Sequence, residues 1–380
     1  MKIAIVHDYI KELGGAERVL EALTETFPDA PIYTAFCDKT SNAYKHFKNK
    51  KIISSWFDYL PFAARLASPL RFLTPLIWGS FGFKEYDVVI SSASWFITKG
   101  FKKTGDKFIE ICYCHTPPRW LYGYDTSVNF KKHAIVRVYA LVVGHFLRLY
   151  DFKQAQKVDY FVANSKEVQS RIKKFYRKDS IVIYPPVSLP NQQSVISNQS
   201  SDNNYYLIVS RIVGAKGLEL AADAVIKMGF KLKIAGSPSG YFNLSELVKK
   251  EKSKSFSANK QIEFLGQVTD SELSLLYGGA KAFLALSKDE DFGITPVEAQ
   301  LFGTPVIAFN GGGYKETVID GKTGILFDDY SIDGLITAVK KFEKIKINPK
   351  DCITHAKKFS KERFKKEIKE FVESAYASKS

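Results

Sequence analysis

Tyr205-Tyr206-Leu207-Ile208-Val209-Ser210-Arg211-Ile212 is a short apolar run, followed by Val213-Gly214-Ala215-Lys216-Gly217 and then by Leu218 to Met228, where apolar residues recur at helical spacing. The order predicts a strand, a tight turn and a helix. The same unit repeats downstream. Apolar runs at 231–235, 261–265, 281–286, 305–309 and 324–327 are separated by stretches of helical period such as 271–277 and 332–342. Strands and helices alternating this regularly give a parallel sheet wound on both faces, which places this half of the chain in the α/β class.

The N-terminal half starts in the same manner, with a strand predicted at Ile3–Val6, a Gly14-Gly15 turn and a helix from Ala16. Further strands are expected at Val88–Ser91, Phe108–Cys112, Tyr160–Ala163 and Ile181–Tyr184. Residues 188–204 are dominated by Ser, Asn and Gln and have no face to bury, so they read as a linker. The expected architecture is two Rossmann-like doubly wound domains, 1–187 and 205–358, facing a central cleft at the carboxyl ends of their strands. Such sheets bind ligands there.

The 380 residues are 45% hydrophobic and 25% charged, enough apolar material for two cores and too much for a disordered chain. Lys and Arg outnumber Asp and Glu by 55 to 40, and the excess is uneven: 1–187 carries +11 and 188–380 carries +4. Such a balance favours anionic partners: acidic lipid, phosphorylated small molecules or nucleic acid. Cys37, Cys112, Cys114 and Cys352 are too few and too scattered for a disulfide framework, which favours a reducing, cytoplasmic setting. Neither a signal peptide nor a membrane-spanning window is recognisable, so any membrane contact is expected to be peripheral. Between Lys39 and Phe83, Trp56, Phe57, Tyr59, Phe62, Phe72, Trp78 and Phe81 fall among Pro61, Pro69 and Pro75 with basic flanks. The stretch reads as an interfacial anchor or as ordinary core helices, and both readings stand open.

Ser287-Lys288-Asp289-Glu290-Asp291-Phe292-Gly293-Ile294-Thr295-Pro296-Val297-Glu298-Ala299 joins an expected strand to an expected helix. With Thr295 as N-cap and Pro296 as the first helical residue, free backbone N–H groups and the positive dipole end would face a phosphate. Glu290 and Glu298 are acceptor-only groups suited to sugar or ribose hydroxyls. Thr295 to Glu298 also has the spacing of a capping box, in which Glu298 would only return a bond to the cap. Arg211 at a strand tip and Lys216 at the next helix start would clamp a diphosphate; otherwise they are surface charges. His115, after the strand ending near Cys112, would bond a sugar hydroxyl or serve as a structural histidine. Cys112-Tyr113-Cys114 lacks metal-site spacing and reads as buried strand. Asp291-Phe292-Gly293, Gly321-Lys322-Thr323 and Gly311-Gly312-Gly313 match no kinase, P-loop or dinucleotide context.

Together, Gly14-Gly15-Ala16-Glu17-Arg18, Tyr113-Cys114-His115-Thr116-Pro117, Asn164-Ser165, Tyr184-Pro185-Pro186-Val187, Ser210-Arg211 with Lys216-Gly217, Phe264-Leu265-Gly266, Glu290-Asp291-Phe292-Gly293 with Pro296-Val297-Glu298-Ala299, and Gly312-Gly313 with Glu316-Thr317 form an ordered set. The set resembles glycosyltransferase family 4, nearest its mannosyltransferase-like branch, over almost the whole chain. What the resemblance implies is a retaining, metal-independent GT-B enzyme that uses no cofactor. A nucleotide-sugar donor would bind the C-terminal domain, with GDP-mannose preferred and a UDP-sugar as the alternative. A glycan or lipid-linked acceptor would bind the N-terminal domain, in polysaccharide biosynthesis; the +11 charge of 1–187 and its aromatic segment point to an anionic membrane surface on the cytoplasmic side, with a polyprenyl-diphosphate-linked sugar as acceptor.

By position, Glu298 corresponds to the ribose ligand, Glu290 to a partner of the donor sugar and Arg211 with Lys216 to the diphosphate clamp. Backbone N–H groups of Phe292, Gly293, Ile294 and Thr295 would bind sugar and phosphate. His115 would lie near the reacting centre and Gly15 beside the diphosphate, and the tail 359–380 would return as a helix to the first domain. Two departures stand out: the 235–240 loop is less Gly-rich than the pattern, and Gly217 replaces a second basic residue. The rival readings are a sugar-nucleotide epimerase on the same fold and a basic nucleic-acid-binding protein; no nucleic-acid motif supports the latter.

Overall fold

The computed structural model describes residues 1–102, 108–124, 134–190, 204–237 and 261–379. Most of the linker expected at 188–204, and residues 238–240 of the 235–240 loop, lie outside the described residues. The chain forms two compact units. The first holds the described residues up to Pro186 together with those from Lys361 onward, and the second runs from Val187 to Ser360.

In the first unit, seven strands form one parallel sheet. They are β1 (Ile3–His7), β2 (Ile32–Thr34), β3 (Ile52–Ser54), β4 (Val88–Ala93), β5 (Ile109–Cys114), β6 (Tyr160–Ala163) and β7 (Ser180–Val182), in spatial order β3-β2-β1-β4-β5-β6-β7. The central strands β4 and β5 are buried along their whole length, as a sheet covered on both faces requires. Cys112 and Cys114 are thus strand residues in a core. The first core joins Ile5, Ile90 and Ile111 of the sheet to Val19, Leu20 and Leu23 of the helix Gly15–Thr26. It also takes in Phe364, Ile368 and Val372 of the terminal helix Lys361–Ala377, whose Lys361 pairs with Glu25 and Glu21.

Six strands build the second sheet: β8 (Tyr206–Val209), β9 (Leu232–Ala235), β10 (Ile262–Gly266), β11 (Ala282–Ala285), β12 (Val306–Phe309) and β13 (Gly324–Phe327), in order β10-β9-β8-β11-β12-β13. All pairings are parallel. The helices Leu218–Met228 and Ile332–Glu343 cover one face through Ala221, Val225, Leu335 and Val339. Val187 opens the unit by donating its amide to the Phe359 carbonyl, 2.8 Å, so the division falls one residue before the expected end of the first domain.

The Lys39–Phe83 stretch is in part core, as one of its two readings expects. Phe57, Ile77, Trp78 and Phe83 are buried with Phe36, Phe96 and Phe101, whereas Tyr59, Phe62 and Leu76 are more than half exposed. A helix at Ala134–Lys157 is a further feature that the sequence pattern did not announce. Its apolar residues run round the whole circumference, so no 3.6-residue stripe marks it.

Candidate functional site

Each sheet reverses its winding at one point, and open α/β sheets bind ligands at such points. In the second sheet the reversal lies between β8 and β11, which are neighbours. The segment leaving β8 turns through Gly214–Lys216 into the helix Leu218–Met228. Gly217 has φ +70, and a Cβ there would stand 2.6 Å from both Cβ and the carbonyl oxygen of Leu286. Only glycine fits, which accounts for the missing second basic residue: the turn must lie against the end of β11. That approach delivers Lys216 to the loop after β11, where its Nζ donates to Glu290 Oε2 at 2.6 Å. Both side chains are partly exposed, 27% and 16%. Tyr314 O–H donates to the same oxygen at 3.3 Å.

The glycine run after β12 holds this loop from behind. The Gly313 amide donates to the Glu290 carbonyl at 2.8 Å, and a Cβ on Gly312, φ +54, would fall 2.1 Å from that oxygen. The run therefore packs backbone against backbone, and this gives Gly311-Gly312-Gly313 the role its spacing did not reveal.

The helix after the loop spans Ile294–Leu301 with Gly293 as N-cap at φ 91. Thr295 is therefore the second helical residue, not the cap, and Pro296 the third, not the first: Gly293 turns the chain into helix two residues earlier than expected. The capping-box reading of Glu298 falls with it. Glu298 is 3% exposed and its Oε2 accepts from the Tyr277 hydroxyl at 2.8 Å. The Phe292 ring is buried, 5.4 Å from that of Phe359, so this residue offers a ligand its main chain alone. Ile294 and Thr295 contribute first-turn N–H groups, which have no partner within a helix. Arg211 is exposed just past β8. Lys216 is a cation brought onto Glu290.

In the first sheet the reversal lies between β1 and β4. His7 ends β1 opposite Ser92 of β4, Ser92 stands opposite Tyr113 of β5, and His115 follows two residues later. The Ser92 hydroxyl meets His115 Nε2 at 2.8 Å and His7 Nδ1 at 3.0 Å. His7 Nε2 lies 3.5 Å from Glu17 Oε1, and Glu17 Oε2 accepts the Gly14 amide at 2.9 Å. Gly15 opens the helix Gly15–Thr26 behind this cap. Burial, reinforced by the neighbouring His7, pushes the His115 imidazole down to about 3. Asp8 is structural: its carboxylate accepts the Trp95 amide at 2.9 Å and the Ser94 hydroxyl at 2.6 Å, fixing the loop after β4.

Sequence reasoning missed Tyr277 and Tyr314, which lie 21 and 24 positions from the carboxylates they bind and carry no local signal. It also missed Ser92. Only the register of β1, β4 and β5 brings that hydroxyl between two histidines.

The two doubly wound parallel sheets give the GT-B fold of glycosyltransferases. Solved structures share the fold. Sucrose-phosphate synthase from Thermosynechococcus elongatus superposes with TM-score 0.71 at 16% identity, covering all of both chains. HepE from Anabaena, in complex with UDP and glucose, gives 0.69 at 18% identity over 98% of this chain and 100% of that one. The alpha-1,3/1,6-mannosyltransferase ALG2 of Dictyostelium discoideum is 26% identical over 96% of this chain and 94% of its own. Residues 191–359 match the glycosyl transferases group 1 family. The chain is a glycosyltransferase and carries this group 1 module in its second unit.

Proposed function

We propose that the enzyme transfers a hexose, mannose in first preference, from a nucleoside diphosphate sugar to a glycan or polyprenyl-diphosphate-linked acceptor with retention at the anomeric carbon. The observation that carries this reading is the Lys216–Glu290 pair at the β8/β11 reversal. A diphosphate oxygen competes for Lys216, and a sugar hydroxyl donates to Glu290 once the ammonium turns to the phosphate. Glu298, buried and oriented by Tyr277, suits a ribose, whose vicinal hydroxyls both donate. His115, with so low a basicity, orients a hydroxyl and does not deprotonate it. The mannosyltransferase relatives favour GDP-mannose as donor, with a UDP-sugar as the alternative that HepE's bound UDP keeps in view.

Thermal-shift screening of nucleotide sugars is the test. A bound donor stabilises the folded chain by about 2.7 kcal/mol at a hundred times its dissociation constant. GDP-mannose should raise the midpoint most. No shift with any GDP- or UDP-sugar would overturn the reading.

The site of action we propose is an anionic membrane surface. No helix among the described residues is long and apolar enough to cross a membrane. Yet along Ala134–Lys157, Val138, Leu141, Val142, Phe146 and Leu149 are each more than half exposed. The charges exposed on this helix, Arg137, Arg148, Lys153 and Lys157, are all positive, and its one carboxylate, Asp151, is buried against Lys99. Tyr139 donates to the Pro69 carbonyl and so ties the helix to the segment that exposes Tyr59 and Phe62. Apolar side chains among cations suit the headgroup boundary of acidic lipid. In flotation, phosphatidylglycerol vesicles should carry the protein and phosphatidylcholine vesicles should not, with Leu141→Asp/Phe146→Asp abolishing the difference. Equal flotation with both lipids, or none with either, would sink it.

A further inference from the structure

Every strand at the reversal of the first sheet contributes one polar side chain to a single buried row. His7, Ser92 and Glu17 are each at most 6% exposed and His115 is 9% exposed. A buried hydroxyl between two imidazoles has one proton to donate and lone pairs to accept, so the order of donors along the row is set by its ends. One end is fixed. Glu17 accepts the Gly14 amide through Oε2 and faces His7 through Oε1, and a carboxylate only accepts. A neutral His7 then turns an Nε2–H to Glu17 and keeps a lone pair on Nδ1. The Ser92 hydroxyl donates to that lone pair and accepts from His115, whose Nε2 must then carry a proton. None of the described residues hydrogen-bonds His115 Nδ1. The Tyr113 ring, 5.2 Å away edge to face, holds the imidazole plane.

We propose that Glu17, His7 and Ser92 act as positioning residues that lock His115 in the Nε2–H tautomer, so that its Nδ1 is presented as an acceptor for a substrate hydroxyl. The functional consequence is a polarity of recognition. A hydroxyl that donates to Nδ1 is accepted, and a carbonyl or phosphate oxygen, having no proton to give, is not. The row also links this histidine to the Gly14-Gly15 helix start, because Glu17 is held by the Gly14 amide. The inference depends on the glycosyl-transfer reading only for what the hydroxyl belongs to; the tautomer is a property of the free protein.

The experiment is nitrogen NMR of the full chain labelled at its 6 histidines, with His115 assigned by loss of its signals in His115→Gln. In the wild type, Nε2 of His115 should resonate as protonated and Nδ1 as unprotonated. Ser92→Ala should mix the two tautomers and lower kcat about tenfold, the effect of one lost orienting hydrogen bond, while KM for the donor changes little. Ser92→Thr, which restores the hydroxyl, should recover both. A wild-type His115 protonated on Nδ1 overturns the proposal, and so does an unchanged tautomer in Ser92→Ala. The wild-type spectrum decides even if that variant fails to fold. The expected tautomer with no response to any nucleotide sugar would instead remove the functional reading and leave the row intact.

Discussion

The two sheet reversals are built from opposite materials. At the first, His7, Ser92, Glu17 and His115 form a buried row, and burial, reinforced by His7, keeps the imidazole of His115 uncharged. At the second, Lys216 and Glu290 form an ion pair still reached by water. A dry, hydrogen-bonded row is rigid, because breaking it leaves buried polar atoms unpaired, and that costs ~1–3 kcal/mol per group. A partly exposed ion pair is worth less and exchanges partners readily. The first edge therefore fixes direction. On the proposed reading, the second holds charge in reserve for an anion that arrives and departs.

That contrast predicts unequal losses. Lys216→Ala removes the cation and leaves the Glu290 carboxylate facing the developing charge of the leaving diphosphate. Turnover should fall by about two to three orders of magnitude, ~3–4 kcal/mol of transition-state stabilisation, while the thermal midpoint stays near wild type. Steady-state kinetics beside calorimetry would measure both. If Lys216→Ala lost less turnover than Ser92→Ala, the assignment of charge to one edge and direction to the other would be inverted.

Much of the second unit could be read from its sequence, since its strands are short apolar runs closed by turns; those at 324–327 and the helix at 218–228 fall on the expected residues. Lys216 and Glu290 were legible for the same reason: both lie at strand exits. The first unit was harder. The strands β2 and β3 are three residues each, below the length at which a run stands out. The helix Ala134–Lys157 hides its period by being apolar on its exposed side as well. Thr295 was misplaced as a cap because a glycine cap bears no side-chain signature, and residue type alone favoured the threonine. The buried row depended on strand register, which no local pattern encodes.

The smallest effect probes whether a buried carboxyl of the first unit is held uncharged, as the His115 imidazole is. Glu110 opens the carboxyl-poor interior of β5, fully buried, with its oxygens accepting the Gly100 amide at 2.8 Å and the Phe101 amide at 2.9 Å. Burial outweighs these bonds and pushes its carboxyl up to about 7. The folded chain thus retains a proton that the unfolded chain releases near 4.5. Stability from this group is complete below the unfolded value and is lost as pH rises toward 7, by roughly 3 kcal/mol at most. Lys99 and Asp151 are the counterexample, two charges retained in the same interior because each has the other. Glu110→Gln cannot titrate, so its thermal midpoint should lack the decline that the wild type shows between pH 5 and 7. The amide meets the Phe101 N–H with a donor and lowers the midpoint by a constant amount, so the slope is the readout. Parallel slopes for the two proteins would mean that Glu110 is ionised when buried, and that the uncharged His115 at the other end of the sheet is a local arrangement.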